Sequence, residues 1–272
     1  MNFTVEKEQE LLEFLLEKIK NKSKNTIKSL LSHEMVLVNK KVITKYNYLL
    51  KKNYTVEIIK KINDIDIIYE DNNIIVVNKP SGLLSISTEK ETEKTLYKYI
   101  SDYVKKSNKN AKIFVVHRLD KDTSGIVIFS KNQDFKNKLQ QNWNDEVIRN
   151  YYAVVEGILE KKSGTIKSYL KENSFHKTYS SNKGELAITN YEVIKTNDLY
   201  SLLKVNIKTG KKNQIRVHLS DVNHPIVGDK KYGSKIRAKR LMLCAYNVEF
   251  KNNSKYKFEI PYPEEFKKYI KA

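Results

Sequence analysis

A chain of 272 residues with 40% hydrophobic residues is long enough to bury a full core, which predicts a globular protein of one large unit or one large and one small unit. Its apolar runs are far shorter than the ~20 residues of a membrane span, and its N-terminus lacks the layout of a signal peptide, so a cytoplasmic protein without membrane attachment is expected. Basic residues outnumber acidic ones by 51 to 32, which predicts a polyanionic partner such as RNA, and the single Cys244 excludes an internal disulfide or a cysteine-based zinc site.

The N-terminal part of the chain has the pattern of a compact α+β unit. Its predicted elements, in chain order, are a helix over residues 8–20, a helix over 25–32, a hairpin around Asn39-Lys40-Lys41 and a strand over 54–60. The polar segment 60–66 separates this pattern from the rest, which predicts a first unit over residues 1–62 and a second unit over 63–272.

The rest of the chain contains many predicted strands and few helices. Strands are expected over residues 72–79, 111–116, 125–131, 147–159, 164–170, 185–194, 200–210 and 240–250. Helices are expected around Leu96–Val104, across Phe135, Leu139 and Trp143, over residues 213–222 and in the tail 261–271. Strands this numerous predict an α+β fold with a mixed, largely antiparallel sheet and flanking helices.

The segment HRLDKDTSG, residues 117–125, lies between two of these strands and is far more polar than a simple turn requires. Its apolar flanks predict strands that are buried on both faces, with the polar residues emerging at their ends. Loops held on such a rigid frame often carry chemistry, so this segment is the first candidate for a site. Asp120 and Asp122 could also simply shape the turn, as loop aspartates usually do.

Arginine is rare in this sequence, although lysine is abundant. It occurs only at Arg118, Arg149, Arg216, Arg237 and Arg240. A guanidinium is a planar, bidentate donor that an ammonium group cannot replace, so the few arginines indicate positions where that geometry is needed. The positive charge itself has an alternative explanation in a generally lysine-rich composition.

Several segments carry a resemblance to a known family, in the same order along the chain. They are IIVVNKPSGLLS at 74–85, HRLDKDTSGIVIFSKN at 117–132, VIRNYYAVVEG at 147–157, KTGKKNQIRVHLSDVNHPIVGDKKYG at 208–233 and RLMLCA at 240–245. These segments resemble the sequence blocks of the RluA-type RNA pseudouridine synthases, and the match extends over about residues 66–265. Residues 8–60 are similar to the S4 RNA-binding module, which also precedes such domains in that family.

The resemblance implies a pseudouridine synthase fold and the conversion of uridine in RNA to its C5-linked isomer, without a cofactor or a metal. The residues that it assigns to the reaction are Asp120 as the catalytic aspartate, Tyr151 as the active-site tyrosine and Arg216 as the arginine that pairs with the aspartate. The residues expected to contact RNA are Arg118, Lys211, Lys212 and, in the S4-like module, Lys24 and Lys40. The sequence departs from the family pattern at Lys211 and Asn213, where arginine and histidine are common, and at Arg149, where lysine is usual.

The same residue types suit this reaction on chemical grounds. Breaking the C1′–N1 bond and rejoining the base through C5 needs a carboxylate beside the ribose, either to attack carbon or to remove a proton. A carboxylate in an apolar cavity tends to take up a proton unless an opposite charge lies nearby, and Arg216 is expected to supply that charge. Strand alternation sends the rings of Tyr151 and Tyr152 to opposite faces, so that one can stack on the extruded uracil. A phenol is also a candidate for the group that assists loss of the C5 proton.

The target uridine is not specified by these patterns. The S4-like module favours large-subunit ribosomal RNA, and transfer RNA is the alternative substrate. The alternative function is binding of RNA or the ribosome, without catalysis, by a protein that keeps this scaffold. A monomer is expected, and no metal site is expected because no two histidines have the spacing of a metal-binding helix.

Overall fold

The structure is a computed structural model, and it describes residues 2–19, 23–32, 34–58, 60–62, 65–89, 91–252 and 254–270. The chain forms two compact units, Met1–Ile68 and Tyr69–Ala272. The boundary predicted between residues 62 and 63 adjoins a gap in the described residues, because residues 63 and 64 lie outside them. No helix in the described ranges has the length and apolar character that crossing a membrane requires.

The first unit contains two helices and several short strands. Its elements are β1 (Asn2–Thr4), β2 (Gln9–Glu10), α1 (Leu11–Lys18), α2 (Lys24–Ser32), β3 (Val36–Val38), β4 (Lys41–Val42), β5 (Leu49–Leu50), β6 (Thr55–Ile58) and β7 (Lys60–Ile62), followed by β8 (Ile65–Glu70). Strands β1, β6, β3 and β4 form an antiparallel sheet in that order, and β2 pairs with β5. The apolar faces of α1 and α2 share one buried core with this sheet.

The two predicted helices of this unit are present, with one difference at the start of α1. The helix begins at Leu11 rather than at residue 8, because Gln9 and Glu10 pair with β5 as an extended segment. Residue 20, the predicted end of that helix, lies outside the described residues. The hairpin turn is formed by Asn39 and Lys40, which both have positive φ, as the tight turns of β-hairpins require.

The second unit consists of one large sheet with helices around it. Its elements are β9 (Ile74–Lys79), α3 (Leu96–Ser107), β10 (Phe114–Val115), β11 (Ser124–Ser130), α4 (Gln133–Gln141), α5 (Trp143–Glu146), β12 (Ile148–Glu156), β13 (Ser163–Glu172), β14 (Thr178–Ser181), β15 (Glu185–Thr196), β16 (Tyr200–Ile207), α6 (Gln214–Asp221), a short 3₁₀ helix (Lys230–Tyr232), β17 (Leu243–Asn252), β18 (Ser254–Glu259) and α7 (Glu264–Ile270).

The strands of this unit follow the order β14-β13-β15-β16-β12-β17-β11-β9, with β10 added to β11 and β18 added to β17. Among these pairs, β11 and β17 run parallel, and the register joins Ser124 to Cys244 and Gly125 to Ala245. All other described pairs in the sheet are antiparallel, so the predicted mixed, largely antiparallel α+β fold is confirmed. Cys244 is 1% exposed, as expected for a small apolar core residue.

Two local expectations need correction, and two strands were missed. The strand predicted at 111–116 is only the two residues of β10, and they are partly exposed rather than buried on both faces. Trp143 does not extend the helical face of Phe135 and Leu139, because helix α4 ends before Asn142 and a separate short helix, α5, begins at Trp143. Strands β14 and β18 were not predicted, and each pairs with one neighbouring strand, β13 and β17 respectively.

The parallel junction of β11 and β17 depends on a glycine. Gly125 has a φ of +119°, and a Cβ atom at this position would lie 2.6 Å from the backbone nitrogen of Ala245. No side chain fits such an approach, because non-bonded heavy atoms pack at about 3.5–4.0 Å. Gly125 is therefore needed both for its backbone conformation and for the close contact between the strands.

We expect Gly125→Ala to lower the free energy of unfolding by at least about 3 kcal/mol, since it adds a collision to the strain of a positive φ. Gly82→Ala is the matched control, because Gly82 has a φ of +88° but no atom within 4 Å of the position that its Cβ would take. The control should lose only about 1–2 kcal/mol, the cost of the backbone conformation alone. Urea unfolding of both variants measures the difference, and equal losses would contradict the role of the close contact.

Candidate active site

A cavity of about 280 Å³ opens in the second unit, beside the junction of β11 and β17. The residues that line it are His117, Arg118, Leu119, Asp120 and Thr123 before β11; Trp143 and Asn144 of α5; Arg149 and Tyr151 of β12; Ile207, Gly210 and Lys211 at and after the end of β16; Asn213, Gln214, Ile215 and Arg216 at the start of α6; and Leu243 of β17. Three of the chain's five arginines belong to this wall.

The structure therefore brings together most of the site residues predicted in the second unit. Asp120, Tyr151, Arg216, Arg118 and Lys211 all line the cavity. Lys212 does not line it, although its charge acts on Asp120. The other two predicted RNA contacts belong to the first unit, where Lys24 begins α2 and Lys40 lies in the β3–β4 turn, both with exposed side chains.

The loop that carries Asp120 is held in place by the side chain of Lys79, the last residue of β9. The side chain of Lys79 has no solvent exposure. Its Nζ donates hydrogen bonds to the carbonyl oxygens of Pro80 at 3.0 Å, Leu83 at 2.7 Å and Lys121 at 2.9 Å. Burial lowers the pKa of Lys79 to about 7, and the charges of Asp122 and Asp120 oppose this shift. The three acceptors match the three N–H donors of the protonated amine, so this form fixes the loop most fully.

Two serines of the same segment complete this support. The Ser85 hydroxyl donates to the Leu119 carbonyl at 2.6 Å and accepts from the Leu119 N–H at 3.1 Å. The Ser81 hydroxyl donates to the Asp122 carbonyl at 2.6 Å. The NKPSGLLS segment thus has a physical role, because its polar side chains satisfy the backbone of the loop on both sides of Asp120.

Asp120 is partly buried in the cavity wall, and within the described part of the chain its carboxylate accepts no hydrogen bond. Burial raises the pKa of this carboxyl above its usual range, because a low-dielectric environment disfavours the charged form. The positive charges that oppose the shift, from the strongest, are those of Arg216, Arg118, Lys79 and Lys212. Asp120 is therefore a carboxylate with free oxygen atoms, surrounded by cations that favour its ionised state.

Arg216 does not form the expected ion pair with Asp120. Its guanidinium makes a bidentate pair with the buried Asp229, with Nε and Nη2 each 2.7 Å from a carboxylate oxygen, and Nη1 donates to Asn213 at 3.0 Å. The ring of Tyr232 lies below the guanidinium, 4.9 Å from its carbon. Arg216 thus acts on Asp120 as a fixed charge at a distance, held in place by a different carboxylate.

The start of α6 explains why asparagine fits at position 213. Asn213 has a φ of +53°, a conformation that asparagine tolerates better than most side chains, and its amide oxygen accepts from Arg216. Gln214 is also structural, because its amide oxygen accepts from the Thr209 hydroxyl at 2.7 Å and the Lys211 N–H at 3.1 Å. The two residues before Ile215 therefore shape the cavity rim and position Arg216.

Tyr151 and Tyr152 point to opposite faces of the sheet, as the alternation of a strand predicts. Tyr151 lines the cavity, and burial raises the pKa of its phenol to about 12. Tyr152 stacks on Tyr246 with ring centroids 3.8 Å apart and meets the edge of Tyr262. The tyrosine available to a ligand in the cavity is thus Tyr151.

Trp143 is a cavity residue that the sequence pattern placed on one helical face with Phe135 and Leu139. Its indole stacks on His117 with centroids 4.7 Å apart, and the Arg149 guanidinium lies 5.8 Å from the indole ring. Burial lowers the pKa of His117 to about 3, so the imidazole is neutral at pH 7, and its Nε2 accepts a hydrogen bond from Ile128 N–H at 3.1 Å. The rarity of tryptophan, which occurs once in the chain, was the one sequence signal that could have marked this position.

Within the ranges that the structure describes, no three His, Cys, Asp or Glu side chains are close enough to hold a metal ion. Asp229, which stands near two histidines in the sequence, is instead the ion-pair partner of Arg216. His218 is fully buried and exchanges hydrogen bonds with Thr189 at 2.8 Å and Ser168 at 3.0 Å. These groups are accounted for by packing and hydrogen bonding.

Comparison with known proteins gives consistent results. A family model described as RNA pseudouridylate synthase matches residues 73–221. The chain is 33% identical over 226 residues to the RNA pseudouridine synthase YhcT of Bacillus subtilis, covering 78% of this chain and 74% of that protein. It is 37% identical over 216 residues to the ribosomal large subunit pseudouridine synthase D of Borreliella burgdorferi, covering 74% of this chain and 66% of that protein.

Solved structures show the same architecture. Human RNA Pseudouridylate Synthase Domain Containing 4 has a TM-score of 0.64 to this chain at 22% identity, covering 74% of this chain and 89% of the human protein. At this level of identity the likeness concerns the fold alone. The predicted pseudouridine synthase fold is thereby confirmed.

The charges around Asp120 give a testable prediction. We expect Lys212→Gln to raise the pKa of Asp120 further, since a cation that favours the carboxylate is lost. Lys211→Gln is the matched control, because Lys211 also pairs with a glutamate but is not among the charges that act on Asp120. Carbon-13 NMR titration of the carboxyl measures both, and an equal shift in the two variants would contradict this electrostatic arrangement.

Proposed function

This chain belongs to the RNA pseudouridylate synthase family and isomerises uridine in RNA to pseudouridine, and we propose that Asp120 is the carboxylate that acts on the ribose. The observation that carries the proposal is the state of this side chain in the cavity. Its oxygens accept no hydrogen bond from any described residue, while four cations act on its charge. A carboxylate that only shaped its turn would use its oxygens to accept hydrogen bonds from the loop backbone.

Asp120 can serve the reaction in two ways, and both need its anion. It can attack the ribose at C1′, or it can remove a proton from the sugar to release the base. The cavity wall raises the pKa of the carboxyl, and the fixed guanidinium of Arg216 is the strongest charge that counteracts this shift. Arg216 therefore supports the reaction as a positioned charge, with Asp229 keeping it in place.

Tyr151 is the proposed contact for the face of the uracil ring. Its side chain belongs to the same cavity as Asp120, and the base must leave the RNA stack to reach that carboxylate. The raised pKa of about 12 keeps the phenol protonated at neutral pH. A stacking and hydrogen-bonding role is thus favoured over removal of the C5 proton by a phenolate.

The RNA backbone is proposed to run along the mouth of the cavity. Arg118 is exposed beside Asp120, where it can occupy the space that the flipped base leaves in the RNA. Lys211 lines the cavity and Lys212 follows it with an exposed side chain, and both are proposed to contact phosphates, which would strengthen binding without reading sequence. Each lysine is paired with a glutamate in the free protein, so RNA binding would exchange those partners.

Large-subunit ribosomal RNA is the proposed substrate class. The Borreliella burgdorferi relative carries that assignment in its name. The first unit is proposed to act as an S4-like RNA-binding module, with the exposed Lys24 and Lys40 as phosphate contacts. Its compact core and exposed basic hairpin suit that role.

We expect Asp120→Asn to lower the single-turnover rate of pseudouridine formation at least about 1,000-fold. RNA affinity should not fall, because the substitution removes a negative charge next to a polyanion. Asp122→Asn is the matched control, since Asp122 belongs to the same loop but is exposed outside the cavity. The control should retain the wild-type rate, and an active Asp120→Asn enzyme would overturn the assignment.

We also expect that deletion of the gene removes at least one pseudouridine from large-subunit ribosomal RNA. The wild-type gene should restore it and the Asp120→Asn gene should not. Carbodiimide adducts and primer-extension stops across total RNA give the position. A loss confined to transfer RNA would contradict the ribosomal assignment while leaving the role of Asp120 intact.

A further inference from the structure

Arg149 is a buried cation in the cavity wall that the mechanism above does not use. It lies on β12 two residues before Tyr151, so both side chains belong to the same face of the strand, and both line the cavity. The residue is only 4% exposed. Its Nη2 donates to the amide oxygen of Asn144 at 3.1 Å and to the carbonyl of Lys208 at 3.4 Å.

The charge of Arg149 is not compensated by any described carboxylate. Both of its hydrogen-bond acceptors are neutral, and in the described ranges it has no ion pair, whereas Arg216 in the same cavity has Asp229. The Nε atom is buried without a hydrogen-bond partner, and the hydrogen bonds that Arg149 donates to described residues both come from Nη2. A buried charge without a partner costs several kcal/mol, so such a group is retained where a ligand supplies the missing negative charge.

Gly210 keeps the space around this guanidinium open. A Cβ atom at Gly210 would lie 2.9 Å from Nη1 of Arg149. The φ of Gly210 is not in the left-handed region, so its backbone does not require glycine. The missing side chain therefore leaves room for Nη1 beside the cavity, and this observation is independent of the unpaired charge.

The isomerisation requires a negative charge in this cavity for part of its course. When the C1′–N1 bond breaks, the electron pair leaves with the base, and the charge spreads over N1 and the two carbonyl oxygens of uracil. The base then turns, C5 bonds to C1′, C5 loses its proton and N1 gains one, so that no atom is lost overall. An enzyme gains most rate from groups placed where such charge develops.

We propose that Arg149 contacts a carbonyl oxygen of the uracil through Nη1 and stabilises the negative charge on the base as it leaves the ribose. The proposal rests on the assignment of this cavity and Asp120 to the reaction. The uracil base is a better match than a phosphate, because Arg149 is enclosed in the wall, whereas Lys212 is exposed and can reach the RNA backbone. Asn144, which orients Nη2, is then a positioning residue.

Replacing the guanidinium tests this contact. We expect Arg149→Met to lower the single-turnover rate about 100- to 1,000-fold, the usual loss for one donor to a developing anion. The dissociation constant for RNA should change much less than the rate, since the charge on the base exists only during the reaction. Arg149→Lys keeps a positive charge and should recover at least tenfold over the Met variant. Thermal unfolding of each variant verifies that it is folded.

A better leaving base separates this role from a structural one. Fluorine at C5 withdraws electrons and stabilises the departing anion, so an RNA with 5-fluorouridine at the target should depend less on Arg149. The rate ratio of wild type to Arg149→Lys and to Arg149→Met, followed as consumption of the target nucleoside after digestion, should be at least tenfold smaller for this RNA than for the uridine RNA. Equal ratios for the two RNAs would overturn the proposal.

The Asp120→Asn enzyme distinguishes failure of this proposal from failure of the proposed function. If Asp120→Asn is inactive and the two ratios are equal, Arg149 is only structural and the cavity assignment stands. If Asp120→Asn retains activity, the cavity assignment fails and the proposal for Arg149 fails with it. If Arg149→Met weakens RNA binding but leaves the single-turnover rate at saturating RNA unchanged, the proposal for Arg149 is also overturned. That result would indicate a phosphate contact.

Discussion

Three backbone carbonyl groups surround the amino group of Lys79, and one of them belongs to Lys121, the residue after Asp120. This buried contact ties the polar loop to the end of β9, because it satisfies carbonyl groups that lie outside the strands. The oxygens of Asp120 can then stay free of hydrogen bonds, since the loop does not need them for its own conformation. The geometry of the cavity therefore depends on Lys79, which holds the loop backbone and leaves the Asp120 carboxylate available for chemistry.

Much of this organisation could be predicted from the sequence. The alternation of β12 placed Tyr151 and Tyr152 on opposite faces, and the polar loop between two apolar runs located Asp120, because strand periodicity is a local property. The partner of Arg216 could not be predicted, since Asp229 reaches it only through the fold of the segment after α6. Trp143 was misassigned for a related reason, because one turn of broken helix at Asn142 redirects its ring to the cavity.

The two buried arginines of the cavity show how one residue type can serve opposite purposes. Arg216 is bidentate with Asp229, so its charge is largely balanced and its position is fixed in the free protein. Arg149 has neutral partners and an Nε without an acceptor, so its charge is left available. The first arrangement favours stability and a constant field at Asp120, whereas the second costs stability that binding of an anionic species can return. Enzymes commonly carry such strain where their chemistry takes place.

The position of β17 has a consequence for the order in which parts of the protein fold. This strand lies between β11 and β12, although residues 243–245 come more than a hundred positions after Ser124 in the chain, with a separation of 119 between the hydrogen-bonded Ser124 and Leu243. The wall with Asp120 and the wall with Tyr151 are therefore separate until this late strand inserts. A nascent polypeptide still on the translating ribosome has no complete catalytic pocket before that point. Closure of so distant a pairing also carries a large entropic barrier, so activity should arise late and all at once during maturation.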